Sequence, residues 1–340
     1  SPAMRVPPWV ARRASIAVPT DPTLSTPRWP AAHGRSGTSL RKSPGKNSLC
    51  SAALRGSPRA DGWEAASERT LVAEGVPVER LDSSSAAQLY PSFGGDDLAF
   101  VLYERDGGVL RAERSMKTLA AQAVAHGARI VRGRARPDGA TVVLEDSTRI
   151  QGDVVIWACG PWLPKLFPDL VSLRVTQQEV LFFDGGPAWR TPDIPVWVDY
   201  EQARCGTADI DKAGVKAFTD DEGPQLDADA ELPTTTRTEA DVRAYLRRRF
   251  PSLAEAPLLR TRSCRYELTA DTRLIGAPHP EHPSVWIVGG GSGHGLKLGP
   301  PMAERVATAI ASGATLPAGF ALGQRSGSES LRTASSSRIS

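Results

Sequence analysis

The stretch Ser284–Ala311, SVWIVGGGSGHGLKLGPPMAERVATAIA, is where the fold is most legible. An apolar run over Ser284–Val288 has the composition of a buried strand, and Pro301–Ser312 has the spacing of a helix. Between them lie Gly289, Gly290, Gly291, Ser292, Gly293, His294 and Gly295. Strand, glycine turn and helix in that order bring bare backbone N–H groups and a helix N-terminus to one point, which attracts an electron-rich or anionic ligand. A purely structural turn is the alternative for so bare a cluster. The spacing does not match G-x-G-x-x-G, the dinucleotide fingerprint.

A second continuously apolar run, Val154–Ala158 (VVIWA), reads as a strand buried on both faces of a sheet. Before it, Met116, Leu119, Ala120 and Ala123 recur at helical spacing, which predicts a helix over Ser115–His126 ended by Gly127. Strands are expected at Arg129–Arg132 and Thr141–Leu144. Further upstream, Trp63–Glu74 and Ala86–Tyr90 read as helices, and Phe100–Tyr103 as a strand closed by the turn Asp106-Gly107-Gly108. Val175–Tyr200 is β-rich without interleaved helices. Thr238–Arg249 is expected to be helical, with Glu239 and Asp241 in its first turn and arginines at its end, as the helix dipole favours. The fold class is α/β (α+β).

At 340 residues the chain is long enough for two domains, and 40% hydrophobic with 23% charged residues is a globular composition. No apolar run is long enough to span a bilayer, so no membrane partner is expected. The four cysteines, Cys50, Cys159, Cys205 and Cys264, are scattered and form no C-x-x-C pair. That argues against a disulfide framework and a structural zinc, and for a reducing, cytoplasmic setting. The net charge of +3 is uneven, because residues 1–60 hold ten Lys/Arg against one acid, Asp21. Such an arm binds nucleic acid when aromatic residues or a motif accompany it; neither does here, and no nucleic-acid partner is expected. Nine prolines punctuate residues 1–60, which read as an unstructured basic segment: a transit peptide or an aberrant start. The Ser/Arg/Gly-rich tail, 319–340, also reads as disordered.

Four blocks carry chemistry: VVIWACGPWLPKLFP (Val154–Pro168), Gly214-Val215-Lys216-Ala217, Cys264-Arg265-Tyr266-Glu267-Leu268-Thr269-Ala270-Asp271, and GGGSGHGLKLGP after HPEHPSVWIVGG. In this order, across about residues 61–318, they resemble the D-amino-acid oxidase family of FAD-dependent oxidoreductases, in its sarcosine oxidase and N-methyltryptophan oxidase branch. The resemblance implies FAD as cofactor, with Gly160, Gly290, Gly291, Ser292, Gly293, His294 and Gly295 near the flavin ring. Leu296 stands where the family usually has an aromatic residue. The resemblance further implies covalent flavin attachment at Cys264, substrate-carboxylate binding by Lys297 and oxygen activation by Lys216. Read without it, Cys264 is an inert core cysteine and Lys216 a solvated surface lysine. Trp162 reads as packing, and no metal is expected.

The family opens with a strand, G-x-G-x-x-G and a helix that hold the pyrophosphate. Residues 1–60 contain no such unit; the nearest candidate, His33-Gly34-Arg35-Ser36-Gly37, precedes no apolar helix. The expected architecture is therefore an incomplete FAD-binding Rossmann-like domain (110–170 and 263–318) with an interleaved antiparallel-sheet substrate domain (61–109 and 171–262). The expected activity is oxidation of the C–N bond of an amine or amino acid, with molecular oxygen as acceptor. The rival is a truncated, cofactor-free remnant.

Overall fold

Leu49–Ser57 forms a strand, β1, inside the segment the sequence reading leaves unstructured. The computed structural model describes residues 49–57, 63–190 and 194–325, so the rest of that expectation lies outside the described residues. LCSAALRGS has little intrinsic strand preference; pairing along both edges supplies what propensity lacks. Helix α1 (Trp63–Ala73) and strand β2 (Val78–Leu81) follow. Helix α2 (Ser83–Ala87) starts three residues before the expected Ala86, because the Asp82 carboxylate accepts from the Ser85 N–H at 2.7 Å and caps it there.

Strand β3 (Phe100–Leu110) runs through Asp106, Gly107 and Gly108, where a turn is expected. Its register with β1 jumps at that point: Glu104 faces Ala53 and Gly108 faces Ser51. The glycines mark a bulge, which the same residues signal as readily as a turn. Helix α3 (Ala112–Ala125) leads to a small antiparallel meander of β4 (Ala135–Asp138), β5 (Thr141–Leu144) and β6 (Arg149–Ile150). The expected strand over Arg129–Arg132 is absent; Ile130 and Val131 are exposed and pair with nothing in a sheet.

Strand β7 (Val155–Trp157) is shorter than VVIWA and corrects the expectation of burial on both faces: Trp157 is enclosed, but Ile156 is 51% exposed. A 3₁₀ turn at Gly160–Trp162 passes into α4 (Leu163–Leu166). The β-rich stretch supplies β8 (Arg174–Phe183), β9 (Val196–Asp199), β10 (Arg204–Thr207) and β11 (Val215–Thr219). Next come α5 (Glu239–Arg249), α6 (Pro251–Ala254), β12 (Leu258–Leu268), β13 (Ile275–Pro278) and β14 (Val285–Gly289). Helix α7 (Gly295–Ser312) begins six residues before Pro301 and carries Pro300 and Pro301 within it. Proline's fixed φ suits a helix, and the loss falls on the carbonyls one turn earlier.

Eight strands join in the order β12-β8-β11-β10-β9-β1-β3-β2, antiparallel throughout except where β1 runs parallel to β9. β13, β14 and β7 form a separate sheet in which β7 is an edge strand. One face of the large sheet packs Phe183 and Trp197 against Leu246 of α5 and Phe250. The Trp197 and Phe250 rings lie 4.6 Å apart, an aromatic contact that adds about 0.5–1.5 kcal/mol beyond buried area. The opposite face carries Val180, Phe182, Val196, Val198, Cys205 and Phe218. After α7, Ala318–Phe320 forms a 3₁₀ turn and Arg325 donates to Asp271 at 3.1 Å. The disorder expected over 319–340 therefore does not extend to residues 319–325; residues 326–340 lie outside the described ones.

Candidate active site

Lys216 and Cys264 lie on the same face of the large sheet. Lys216 on β11 is opposite Phe182 of β8, and Cys264 on β12 is opposite Gln178 of β8. Phe182 and Gln178 are an even number of residues apart on one strand, so they and their partners point the same way. By strand geometry the two candidates are roughly 17 Å apart. Their shared face is the one built from Val180, Phe182 and Phe218.

Lys216 is 3% exposed, so it is not a solvated surface lysine. Its Nζ lies 4.7 Å from the centre of the Phe218 ring, an attraction between cation and π face. Lys216, Phe182 and Thr207 line a cleft of about 610 Å³ that is also lined by Arg111, just before α3, and by Arg114 and Lys117 of α3. In its lining, Arg111 grips Asp211 with two N–H groups, at 3.0 and 3.2 Å. The turn before β11 is held by Asp209, whose carboxylate accepts from the Gly214 N–H at 2.8 Å. That bond fixes where β11 starts, and hence which way Lys216 points.

Cys264, Tyr266 and Leu268 alternate on β12 and form one buried cluster. The Tyr266 hydroxyl donates to Asp220, one residue past β11, at 2.8 Å, tying β12 to the end of the lysine strand. Burial pushes the thiol of another cysteine, Cys159, up. Trp162, read as packing, donates its indole N–H to Asp229 at 2.7 Å. Lys165 meets Asp227 and Asp229, each at 2.6 Å, and these bonds hold its ammonium pKa up and both carboxyls down.

The glycine loop docks on the outer edge of β12, where the Ser292 N–H donates to the Glu267 carbonyl at 3.1 Å. Ser292 is fully enclosed and has a φ of 45°, a left-handed conformation unusual for a residue with a Cβ. The Gly160 turn reaches the same place. A Cβ on Gly160 would lie 2.6 Å from Glu267 Oε2, and one on Gly291 would lie 3.0 Å from Oε1. The Gly291 N–H donates to that Oε1 at 3.0 Å. His294 sits at the N-cap of α7, and Lys297 is in its first turn.

The structure thus joins Gly160 to Gly291 through Glu267 and puts Lys216 and Cys264 on one face. It does not bring the two groups together: Cys264, Lys297 and the glycine loop do not line the Lys216 cleft. Alternation along β12 points Glu267 away from the Cys264 face. The sequence reading missed Glu267 as a contact of both glycine segments, although it lies inside the quoted CRYELTAD block, and missed the α3 wall of the cleft. Among the described residues no His, Cys, Asp and Glu side chains are grouped to hold a metal, and no helix is long and apolar enough to cross a membrane.

A family model described as FAD dependent oxidoreductase matches residues 36–309. The chain is 28% identical over 276 residues to a monomeric sarcosine oxidase from Streptomyces avermitilis, a match covering 74% of this chain and 69% of the relative. It is 28% identical over 244 residues to an N-methyl-L-tryptophan oxidase from Yersinia pestis, covering 67% of this chain and 64% of the relative. Among solved structures, iminodiacetate oxidase from Chelativorans sp. BNC1 has the same fold, with a TM-score of 0.72 at 20% identity over 90% of this chain and 86% of that one.

Proposed function

The chain belongs to the FAD dependent oxidoreductase family, and from that membership we infer that it oxidises the C–N bond of an amine or amino acid, with FAD as redox group and molecular oxygen as acceptor. One observation carries the reading: Lys216 is a buried lysine lining a cleft of about 610 Å³, on the same sheet face as Cys264. A lysine enclosed beside a cleft is a functional candidate, because its charge acts more strongly on a ligand there than it would in water.

Gly160 and Gly291 leave backbone bare where their segments converge, but the room is taken by the Glu267 carboxylate, which a Cβ on either would meet; the assignment of these glycines to a flavin ring rests on family membership. Gly160, Gly290, Gly291, Ser292, Gly293, His294 and Gly295 would hold the ring, and Cys264 would tether it. For the pyrophosphate no G-x-G-x-x-G occurs in the sequence. Residues 110–170 and 263–318 are accordingly read as an incomplete FAD-binding part, and 61–109 and 171–262 as the substrate part.

Bound FAD would accept a hydride from the carbon beside the amine nitrogen and pass the electrons to oxygen. The chain's own residues supply orientation and charge. The Lys216 ammonium would stabilise negative charge growing on oxygen, and its near-complete burial makes that interaction stronger than it would be in water. Lys297, at the head of α7, would orient a substrate carboxylate. The rival reading, a cofactor-free remnant, draws on the missing G-x-G-x-x-G.

The test is to purify the full chain, record its absorbance in the flavin bands, and measure peroxide released from a panel of N-methyl and D-amino acids. Flavin absorbance with substrate-dependent peroxide supports the oxidase. A colourless chain that stays inactive with added FAD overturns it.

A further inference from the structure

We propose that the cleft beside Lys216 binds a dicarboxylate, with one carboxylate on Lys216 at its enclosed side and the other on Arg114 at its open side. The proposal goes beyond the oxidase reading and needs no bound flavin. Four of the side chains lining the cleft are cationic, Lys216, Arg111, Arg114 and Lys117, and two are acidic, Glu113 and Asp211. The lining therefore carries a formal charge of +2. A cleft lined mainly by one sign of charge concentrates ligands of the opposite sign.

The cations stand at different depths. Lys216 is 3% exposed, whereas the side chains of Arg114 and Lys117 are 37% and 64% exposed. Arg114, Lys117, Thr118 and Ala121 lie three or four residues apart, so α3 turns one face to the cleft. Phe182, Ala208 and Ile210 add apolar lining. A ligand with a carboxylate at each end and a hydrocarbon middle matches this arrangement; one compact anion meets a single depth only. The two acids do not occupy Arg114. Asp211 takes two N–H groups of Arg111, at 3.0 and 3.2 Å, and Glu113 accepts from Lys117 at 2.7 Å. Arg114 stands 3.9 Å from Asp211, beyond hydrogen-bond range. Its planar fork of donors is suited to a carboxylate from outside.

The experiment titrates the full chain, Arg114→Gln and Lys216→Met with butyrate, succinate, glutarate, adipate and inorganic phosphate, using calorimetry at low salt. The best dicarboxylate should bind about 10- to 100-fold tighter than butyrate, the worth of one further charge-assisted hydrogen bond. Arg114→Gln should erase that preference and leave butyrate binding unchanged. Lys216→Met should weaken butyrate and the dicarboxylates alike. Arg114 is partly exposed, so its replacement tests the site even where loss of the enclosed lysine disturbs folding.

Equal affinity for butyrate and every dicarboxylate, or no binding of any, overturns the proposal. So does a preference that survives Arg114→Gln, because the second carboxylate then sits elsewhere. Phosphate held more tightly than every dicarboxylate overturns it too, by showing a site for one compact anion. Butyrate binding that Lys216→Met leaves intact removes the lysine from the site and overturns the pairing. These titrations read no flavin, so their failure leaves the oxidase reading to its own test by absorbance and peroxide.

Discussion

The guanidinium of Arg249 lies 3.3 Å from the carboxylate of Asp199, with both side chains enclosed, at 4% and 5% exposure. Arg249 is the last residue of α5 and Asp199 the last of β9, so the pair pins the helix to the middle of the large sheet. Arg249 also donates to the Gly94 carbonyl at 3.0 Å and grips the carboxylate of Asp97. Burial already pushes the Asp199 carboxyl up against the pull of Arg249. Replacing Arg249 by Met leaves that carboxylate enclosed without its cation, with the Gln202 N–H still donating to it at 3.1 Å, and should cost about 3–5 kcal/mol of stability. Urea unfolding measures it; a loss below about 1 kcal/mol would show that Asp199 finds water or another donor.

Asp97 gives a pH signature of the same cluster. Its hydrogen bond from Arg249 holds its carboxyl below the ordinary range, so its stabilising effect is present above that range and is lost as pH falls through the folded-state value. The Tm advantage of the unmodified chain over Asp97→Asn should be largest above about pH 5 and shrink below about pH 4. A difference that stays constant from neutral to acid pH would remove Arg249 as the cause.

Lys216→Met should slow reoxidation of reduced flavin by oxygen on the order of 10²- to 10³-fold, the usual effect of removing one preorganised charge. Anaerobic reduction by substrate should change far less, since no charge is then building on oxygen. Stopped-flow absorbance separates the two half-reactions. Equal slowing of both would make Lys216 a substrate or structural residue.

If Cys264 tethers the flavin, acid precipitation leaves the yellow colour in the pellet, and Cys264→Ser moves it to the supernatant. Cys264 is nearly buried in the cluster with Tyr266 and Leu268, so the tether requires the ring to reach an enclosed thiol. Colour in the supernatant of the unmodified chain would end this assignment.

With no G-x-G-x-x-G in the sequence to present backbone N–H groups to the pyrophosphate, FAD should bind no more than about tenfold tighter than riboflavin. Parallel fluorescence titrations decide the matter. A preference for FAD of a hundredfold or more would reveal an anion cradle elsewhere in the chain.

The strongest helical period, around Met116, and the buried strand ahead of Gly289 were legible because their signals are local. The four blocks that carry the family resemblance were legible for the same reason. β1 was not, because Ala, Ser and Gly say nothing of two partner strands about 50 and 140 residues away. Gly107 and Gly108 misled because glycine serves bulges and turns alike. Ile156 misled because an apolar run does not reveal whether it ends at a sheet edge. Glu267 was in plain view, but its meeting with Gly160 and Gly291 is a contact across more than a hundred residues on one side, and no spacing rule reaches that far.

Because β1 lies between β3 and β9, the large sheet is assembled out of order during synthesis. β1 and β3 can pair once residue 110 is available, but the parallel partner β9 follows about 90 residues later. At ordinary translation rates that leaves one edge of β1 unsatisfied for on the order of ten seconds on the ribosome. An open strand edge is a template for any other chain nearby. The yield of this protein in a cell should therefore depend on how fast its middle third is translated, and on whether a chaperone shields that edge while it waits.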